Sequence, residues 1–171
     1  MDYTIFRNAL NELECSNFLQ FGKDQYPLLK PNQLYPNRGY PGFTLKNADS
    51  ILDKLTKYVS LANYKESYDR GPGTGVNFIN AEPGETLDQH IDKPLYEFDQ
   101  NYQIKSEFEN RYCALSVLAC IGGINTLVIE DADIVVSTGD VIVLKGFTAH
   151  AMKSTEKDTF YLLSAFLCYS T

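Results

Sequence analysis

A mainly β protein with helices packed along it is what this sequence predicts, and two observations carry that expectation. Helical spacing of apolar residues is confined to roughly the first 62 positions. From residue 76 onward the chain breaks into short stretches rich in β-branched and aromatic residues, separated by Gly, Asp and Pro. Helices come first and strands after, without βαβ alternation. The expected class is therefore α+β, with helices against a mostly antiparallel sandwich or barrel.

Residues 5–21 place Leu10, Leu13, Phe18 and Phe21 on one helical face, with Asn11 as N-cap and Glu14 three residues later in a capping box. Residues 25–47 hold Pro27, Pro31, Pro36 and Pro41 and read as an extended loop. A second helix is expected over Ala48–Ala62, where Ile51, Leu52, Leu55, Tyr58, Val59 and Leu61 recur at three- and four-residue steps. Strands are expected within 76–92 and over 110–119, 126–130, 133–137, 140–146 and 159–169. Residues 94–109 are polar without a clear period and read as a loop or lid. The RGPGTG stretch at 70–75 lacks the Lys-Ser/Thr of a phosphate loop and precedes a strand, so it reads as a flexible loop near the site entrance.

A chain of 171 residues suits one domain, with 1–70 as a helical support region and 76–171 as the β core. The formal charge of −7 argues against sequence-independent nucleic-acid binding, which needs a basic surface to displace counterions. No basic segment followed by an apolar one opens the sequence, and no stretch is long and apolar enough for a membrane span. Cys15, Cys113, Cys120 and Cys168 show no paired spacing and read as free thiols in a reducing compartment. Cytoplasmic location is the expectation.

The chemistry lies in HID at 90–92. On an extended strand His90 and Asp92 share a face, because side chains alternate with period two. His150 lies 58 residues further on, after the apolar run DVIVLKG, at the end of a predicted strand. HxD alone is weak, since a surface His–Asp pair is common. The chain, however, has only two histidines, and both stand where a triad needs them. Two imidazoles and one carboxylate on one face of an octahedron leave coordination positions open, the arrangement of non-haem Fe(II) oxygenases. His90, Asp92 and His150 are thus the candidate metal ligands and the catalytic centre.

Four segments in order, IFRNALNELECSNFL, NAEPGETLDQHID, RYCALSVLACIGGINTLVIE and GDVIVLKGFTAH, resemble the Fe(II)/2-oxoglutarate dioxygenase superfamily, within it the prolyl-4-hydroxylase-like branch. The resemblance runs nearly end to end. It implies a double-stranded β-helix, a jelly-roll and cupin-like core with helices along one side. It also implies Fe(II) on His90, Asp92 and His150, 2-oxoglutarate (2OG) as cosubstrate and ascorbate as a further candidate. The implied reaction hydroxylates a substrate C–H bond while 2OG becomes succinate and CO₂. The family binds the far carboxylate of 2OG with an Arg or Lys nine or ten residues after the distal His; here those positions are Thr159 and Phe160. Arg111, Lys157 and Lys153 are the candidate replacements, with Thr159 as a supporting donor and Asn80 as a polar contact. Arg111 has the advantage that a guanidinium grips a carboxylate at two points. For the two lysines a solvated surface charge is the more common explanation. Tyr35, Tyr40 and Tyr96 are candidate walls of the site.

Two other classes fit the same residues: a cupin-like metal enzyme that does not use 2OG, favoured by the missing cation, and a non-catalytic binding protein on the same scaffold. Peptidyl proline, a free amino acid, a small metabolite and a nucleobase all remain open as substrates, nucleic acid being least favoured by the acidic surface. Oligomeric state is open as well.

Overall fold

The computed structural model describes residues 2–29, 42–95, 101 and 103–170. Among the described residues ten strands are formed: β1 (Tyr3–Phe6), β2 (Gly42–Thr44), β3 (Gly75–Ala81), β4 (Leu87–His90), β5 (Arg111–Gly122), β6 (Ile124–Ile129), β7 (Ala132–Ser137), β8 (Val141–Lys145), β9 (His150–Met152) and β10 (Phe160–Ser170). Two helices, α1 (Glu12–Leu29) and α2 (Asp49–Leu61), stand between the early strands. Six strands form one sheet in the order β1-β8-β5-β10-β3-β2, and four form another in the order β4-β9-β6-β7. Their pairings are antiparallel.

The large sheet is buried on both faces, which is why its central strands read as nearly continuous apolar runs. On β5, Leu115, Val117, Ala119 and Ile121 join the core with Ile51, Leu52, Leu55 and Val59 of α2. Leu118 and Cys120 point the other way. They meet Leu127, Ile129, Ile134, Val136 and Met152 of the small sheet, together with Ile79, Ile142, Phe160 and Leu162. This second cluster is the interior of a two-sheet sandwich, closed at the centre by apolar side chains. Each fully enclosed Leu or Ile contributes about 1.5–3 kcal/mol by leaving water.

Local chemistry fixes the ends. Asn11 Oδ1 accepts from the Glu14 amide (2.8 Å) and Glu14 Oε1 accepts from the Asn11 amide (3.1 Å), so the capping box forms as read. The helical reading of residues 5–21 needs correction at its start, because Tyr3–Phe6 pairs with β8 as a strand. The loop assigned to 25–47 also needs correction. Helix α1 continues through Pro27 to Leu29, and Gln25 anchors that end by bonding both backbone groups of Lys46. Strand β2, within the same stretch, is only three residues long, too short for any period to register. The second helix lies at Asp49–Leu61, within a residue of its expected bounds at each end.

The turn before β8 is a hub. Buried Asp140 accepts from Arg7 Nη1 (2.8 Å), the Asn8 amide (2.9 Å) and the Ser137 amide (3.0 Å), tying the start of the chain to the small sheet. Gly139 beside it has φ +101°, which a side chain would strain, and a Cβ there would lie 2.8 Å from Leu10 O.

Candidate metal centre

His90 ends β4 and His150 opens β9, and the two are directly paired across the small sheet. Ile129 of β6 pairs with His150 on its other side. Asp92 sits just past β4, buried, where the chain leaves the sheet toward Leu95. One oxygen, Asp92 Oδ1, lies 3.2 Å from His90 Nε2 and 3.2 Å from His150 Nε2. The ring centroids are 4.4 Å apart, and the three prospective ligand atoms all fall within 4.8 Å of one another.

The other ring nitrogens settle what those atoms can do. His90 Nδ1 lies 2.6 Å from Asp88 O and His150 Nδ1 lies 2.9 Å from Thr148 O. A carbonyl only accepts, so each Nδ1 carries a proton, and in the neutral rings each Nε2 offers a lone pair. Two imidazole lone pairs and a carboxylate oxygen facing each other repel unless a proton or a metal cation lies among them. Asp92 Oδ2, also buried, has no hydrogen-bond partner among the described residues. This donor set fits a divalent first-row metal.

Electrostatics keep Asp92 ionised and make His150 more basic, so a metal bound here would displace a proton from Nε2. Burial works to raise the Asp92 carboxyl, but the charge and hydrogen bond of His150, then those of His90, hold it below the usual carboxylate range. Burial works to lower His150, yet Asp92 and the Thr148 carbonyl raise it above its ordinary value. A carboxylate kept ionised between imidazoles is the seat a divalent cation requires.

The approach to His150 depends on a close crossing. The Gly146 amide donates to Ala114 O (2.9 Å), and a Cβ at Gly146 would lie 1.8 Å from Cys113 O. Only glycine lets β8 pass β5 at that distance before the chain turns to His150. Thr148 continues the turn, its Oγ1 donating to Asp2 O (3.2 Å).

The residues expected to hold 2OG do not converge. Arg111 closes on Asp69 and bonds Pro72 O (2.8 Å), so its guanidinium is committed to the 69–72 turn. Lys157 is exposed in a surface depression shared with Gly123, Asn125 and Thr155, beside the β5–β6 turn. Thr159 sits at the same end, its carbonyl packed against Gly123. Lys153 pairs with Asp133 (2.8 Å) on the surface. Asn80 shares the helix-facing side of β3 with Val76 and Phe78, away from the inter-sheet core that Ile79 and Ala81 join. Phe160, ten residues after His150, is fully buried among the apolar residues of that core. Arg111 is the one cation among the described residues with a side chain as little as 6% exposed. The 70–75 loop is pinned by Arg111 and by the Leu95 amide on Gly73 O (2.9 Å). Tyr35, Tyr40 and Tyr96 lie outside the described residues.

Polar side chains that periodicity did not single out do face the interior between the two sheets. Ser116 and Ser164 interrupt the apolar faces of β5 and β10, and Asn77 that of β3; all three are buried. Their only trace in the sequence is a serine within ALSVLA, a serine within LLSAF and an asparagine within GVNFI.

No protein-family model and no curated protein matches the chain. Solved structures do. Viral collagen prolyl hydroxylase vCPH from Paramecium Bursaria Chlorella virus-1, in its 2OG complex, superposes at TM-score 0.69 with 11% identity, covering 98% of this chain and 96% of that one. A Pseudomonas putida prolyl-4-hydroxylase gives 0.64 at 14% identity, covering 97% and 91%. A 2OG-Fe(II) oxygenase family oxidoreductase from Burkholderia pseudomallei gives 0.62 at 13%, covering 97% and 85%. The chain therefore has the double-stranded β-helix fold of prolyl-hydroxylase-like 2OG oxygenases.

Proposed function

We propose that this chain is a mononuclear Fe(II)-dependent oxygenase that hydroxylates a C–H bond of a small molecule or peptide, with 2OG as cosubstrate. The observation that carries the reading is Asp92 Oδ1 standing 3.2 Å from both Nε2 atoms, a donor set within reach of one cation. The fold supports it, since the similar solved structures include a prolyl hydroxylase in a 2OG complex. Iron held by His90, Asp92 and His150 would supply the activation of O₂. The chain's own contribution is positional. His90 and His150 are aimed by backbone carbonyls, and Asp92 supplies the negative charge. The apolar residues behind them, Ile129 and Phe160 among them, keep bulk water from the reacting centre.

Anaerobic titration with Fe(II), followed by 2OG and O₂, tests this. The expected result is one iron per chain and succinate formed, with both lost in His90→Ala. A chain that binds iron but converts no keto acid answers instead to the second reading, a cupin-like metal enzyme independent of 2OG. The observation favouring that reading is specific: Phe160 stands at the tenth position after His150, and Arg111 is closed on Asp69.

A further inference from the structure

We infer that Cys113 and Cys168 are a redox site, a cross-strand dithiol that hydrogen peroxide closes to a disulfide, and that closure weakens metal binding at the triad. The pairing of the thiols stands apart from the oxygenase reading. Its effect on the metal rests on the part of that reading that makes His90, Asp92 and His150 a metal centre.

The strand register brings the two together. Past a shift between Leu167 and Cys168, Cys168 of β10 is the direct partner of Cys113 of β5. The Cys168 amide donates to Thr74 Oγ1 (3.1 Å), and its carbonyl accepts from the Asp69 amide (2.9 Å). Both main-chain groups of Cys168 therefore turn away from β5, which makes Cys113–Cys168 a non-hydrogen-bonded antiparallel pair. Such pairs hold their Cα atoms about 4.5 Å apart, within the range of about 4.4–6.8 Å that a disulfide spans. The two side chains share a face and pack in one buried cluster with Leu95 and Phe166. Cys15 and Cys120 belong to the two other apolar clusters.

The pair is chemically unequal. A hydrogen bond between the thiols pushes Cys113 above the ordinary thiol range and Cys168 below it, with Thr74 and Arg111 helping to lower the second against its burial. Cys168 is thus the nucleophile. The 69–74 turn covers it, Cys168 Sγ donating to Gly73 O (3.4 Å), so peroxide enters when that turn opens locally. The Cys168 thiolate attacks one peroxide oxygen, and the departing hydroxide takes up the thiol's proton as water, leaving a sulfenic acid. The Cys113 sulfur then attacks the sulfenic sulfur, and the hydroxyl leaves with the Cys113 proton as a second water. Two thiols lose two electrons and two protons, and peroxide gains both.

Closure reaches the triad through Leu95, three residues after Asp92. Gly73 O accepts from both the Leu95 amide (2.9 Å) and the Cys168 thiol. The segment leaving Asp92 is therefore held at Leu95 twice, by Gly73 on its main chain and by the cysteine cluster on its side chain. Forming the disulfide draws the sulfurs to about 2.05 Å, shifts them against Leu95 and removes the S–H that Gly73 O receives. The carboxylate of the triad loses part of its anchor.

The test starts from reduced, metal-free protein treated with hydrogen peroxide, quenched by thiol alkylation and mapped by mass spectrometry without reductant. The expected product links the Cys113 and Cys168 peptides and leaves Cys15 and Cys120 alkylated. Mn(II), an air-stable probe of the triad, is then titrated calorimetrically into reduced and oxidised protein. Oxidation should weaken Mn(II) binding about fivefold, the size of one lost hydrogen bond, and dithiothreitol should restore it. In C113S and C168S, peroxide should leave Mn(II) affinity unchanged. No link, a link through Cys15 or Cys120, or a linked protein with unaltered Mn(II) affinity would each overturn the proposal. Failure of the reduced protein to bind Mn(II) would instead overturn the metal centre and the coupling with it, while the link is still read by mass.

Discussion

Arg111 and Asp69, 42 residues apart, close on each other at two points, Nη1 to Oδ2 at 3.0 Å and Nη2 to Oδ1. The guanidinium also reaches Cys168 O (3.3 Å), so it joins the 69–72 turn to the end of β10. A residue that resemblance offered as a carboxylate clamp for cosubstrate is already clamping a carboxylate of its own chain.

That pair sets an acid sensitivity. Hydrogen bonding from Arg111, then from the Gly71 amide, holds Asp69 at about 2, below its ordinary 3.8. The folded value is the lower one, so between these values the unfolded chain binds more protons, and stability rises with pH. The contribution is complete above the ordinary value and is lost as pH falls through about 2. Denaturation midpoints should therefore drop more steeply on acidification in wild type than in Asp69→Asn, by a small amount because the carboxylate is exposed. Parallel profiles would show that the pair contributes nothing.

Metal should stabilise the fold through the triad. At a free Fe(II) concentration about a hundred times the dissociation constant, binding adds about 2.7 kcal/mol to stability, read as a rise in thermal midpoint under anaerobic conditions. Asp92→Ala and His150→Ala should lose that rise. An equal rise in these variants would place the iron elsewhere.

Removing the hub at the β7–β8 turn should be costly. Asp140→Ala leaves the part-buried Asn8 and Ser137 amides without this acceptor, and Arg7 Nη1 with Val135 O alone of its two bonds. The expected loss is about 2–3 kcal/mol by urea denaturation. A loss under about 0.5 kcal/mol, the range of an ordinary surface substitution, would mean water replaces the carboxylate.

Gly146→Ala should damage both stability and metal binding. The added Cβ meets a backbone carbonyl, Cys113 O, which cannot swing aside as a side chain would. An overpacking cost of about 3 kcal/mol is expected, with weaker iron binding because the displaced segment leads directly to His150. Unchanged iron affinity would show that the turn absorbs the shift before it reaches the ligand.

Much of the fold was legible because local and global preferences agree. The Asn11–Glu14 box forms where its spacing indicates, and the apolar runs of β5, β8 and β10 become strands covered on both faces. The meeting of His90, Asp92 and His150 was legible because two histidines left few alternatives. What escaped depends on pairing across the chain. Strand β2 has three residues and exists through β3, and β1 exists through β8. The commitment of Arg111 depends on Asp69, a partner that no periodicity indicates. Ser116 and Ser164 look like incidental serines until the register turns them inward together.

The ring orientation of each imidazole comes from a carbonyl two residues upstream, Asp88 O for His90 and Thr148 O for His150. Each imidazole thereby brings its own alignment within a tripeptide of main chain. Drift in the surrounding side chains can therefore remodel the neighbourhood while both Nε2 atoms stay pointed at the same spot beside Asp92.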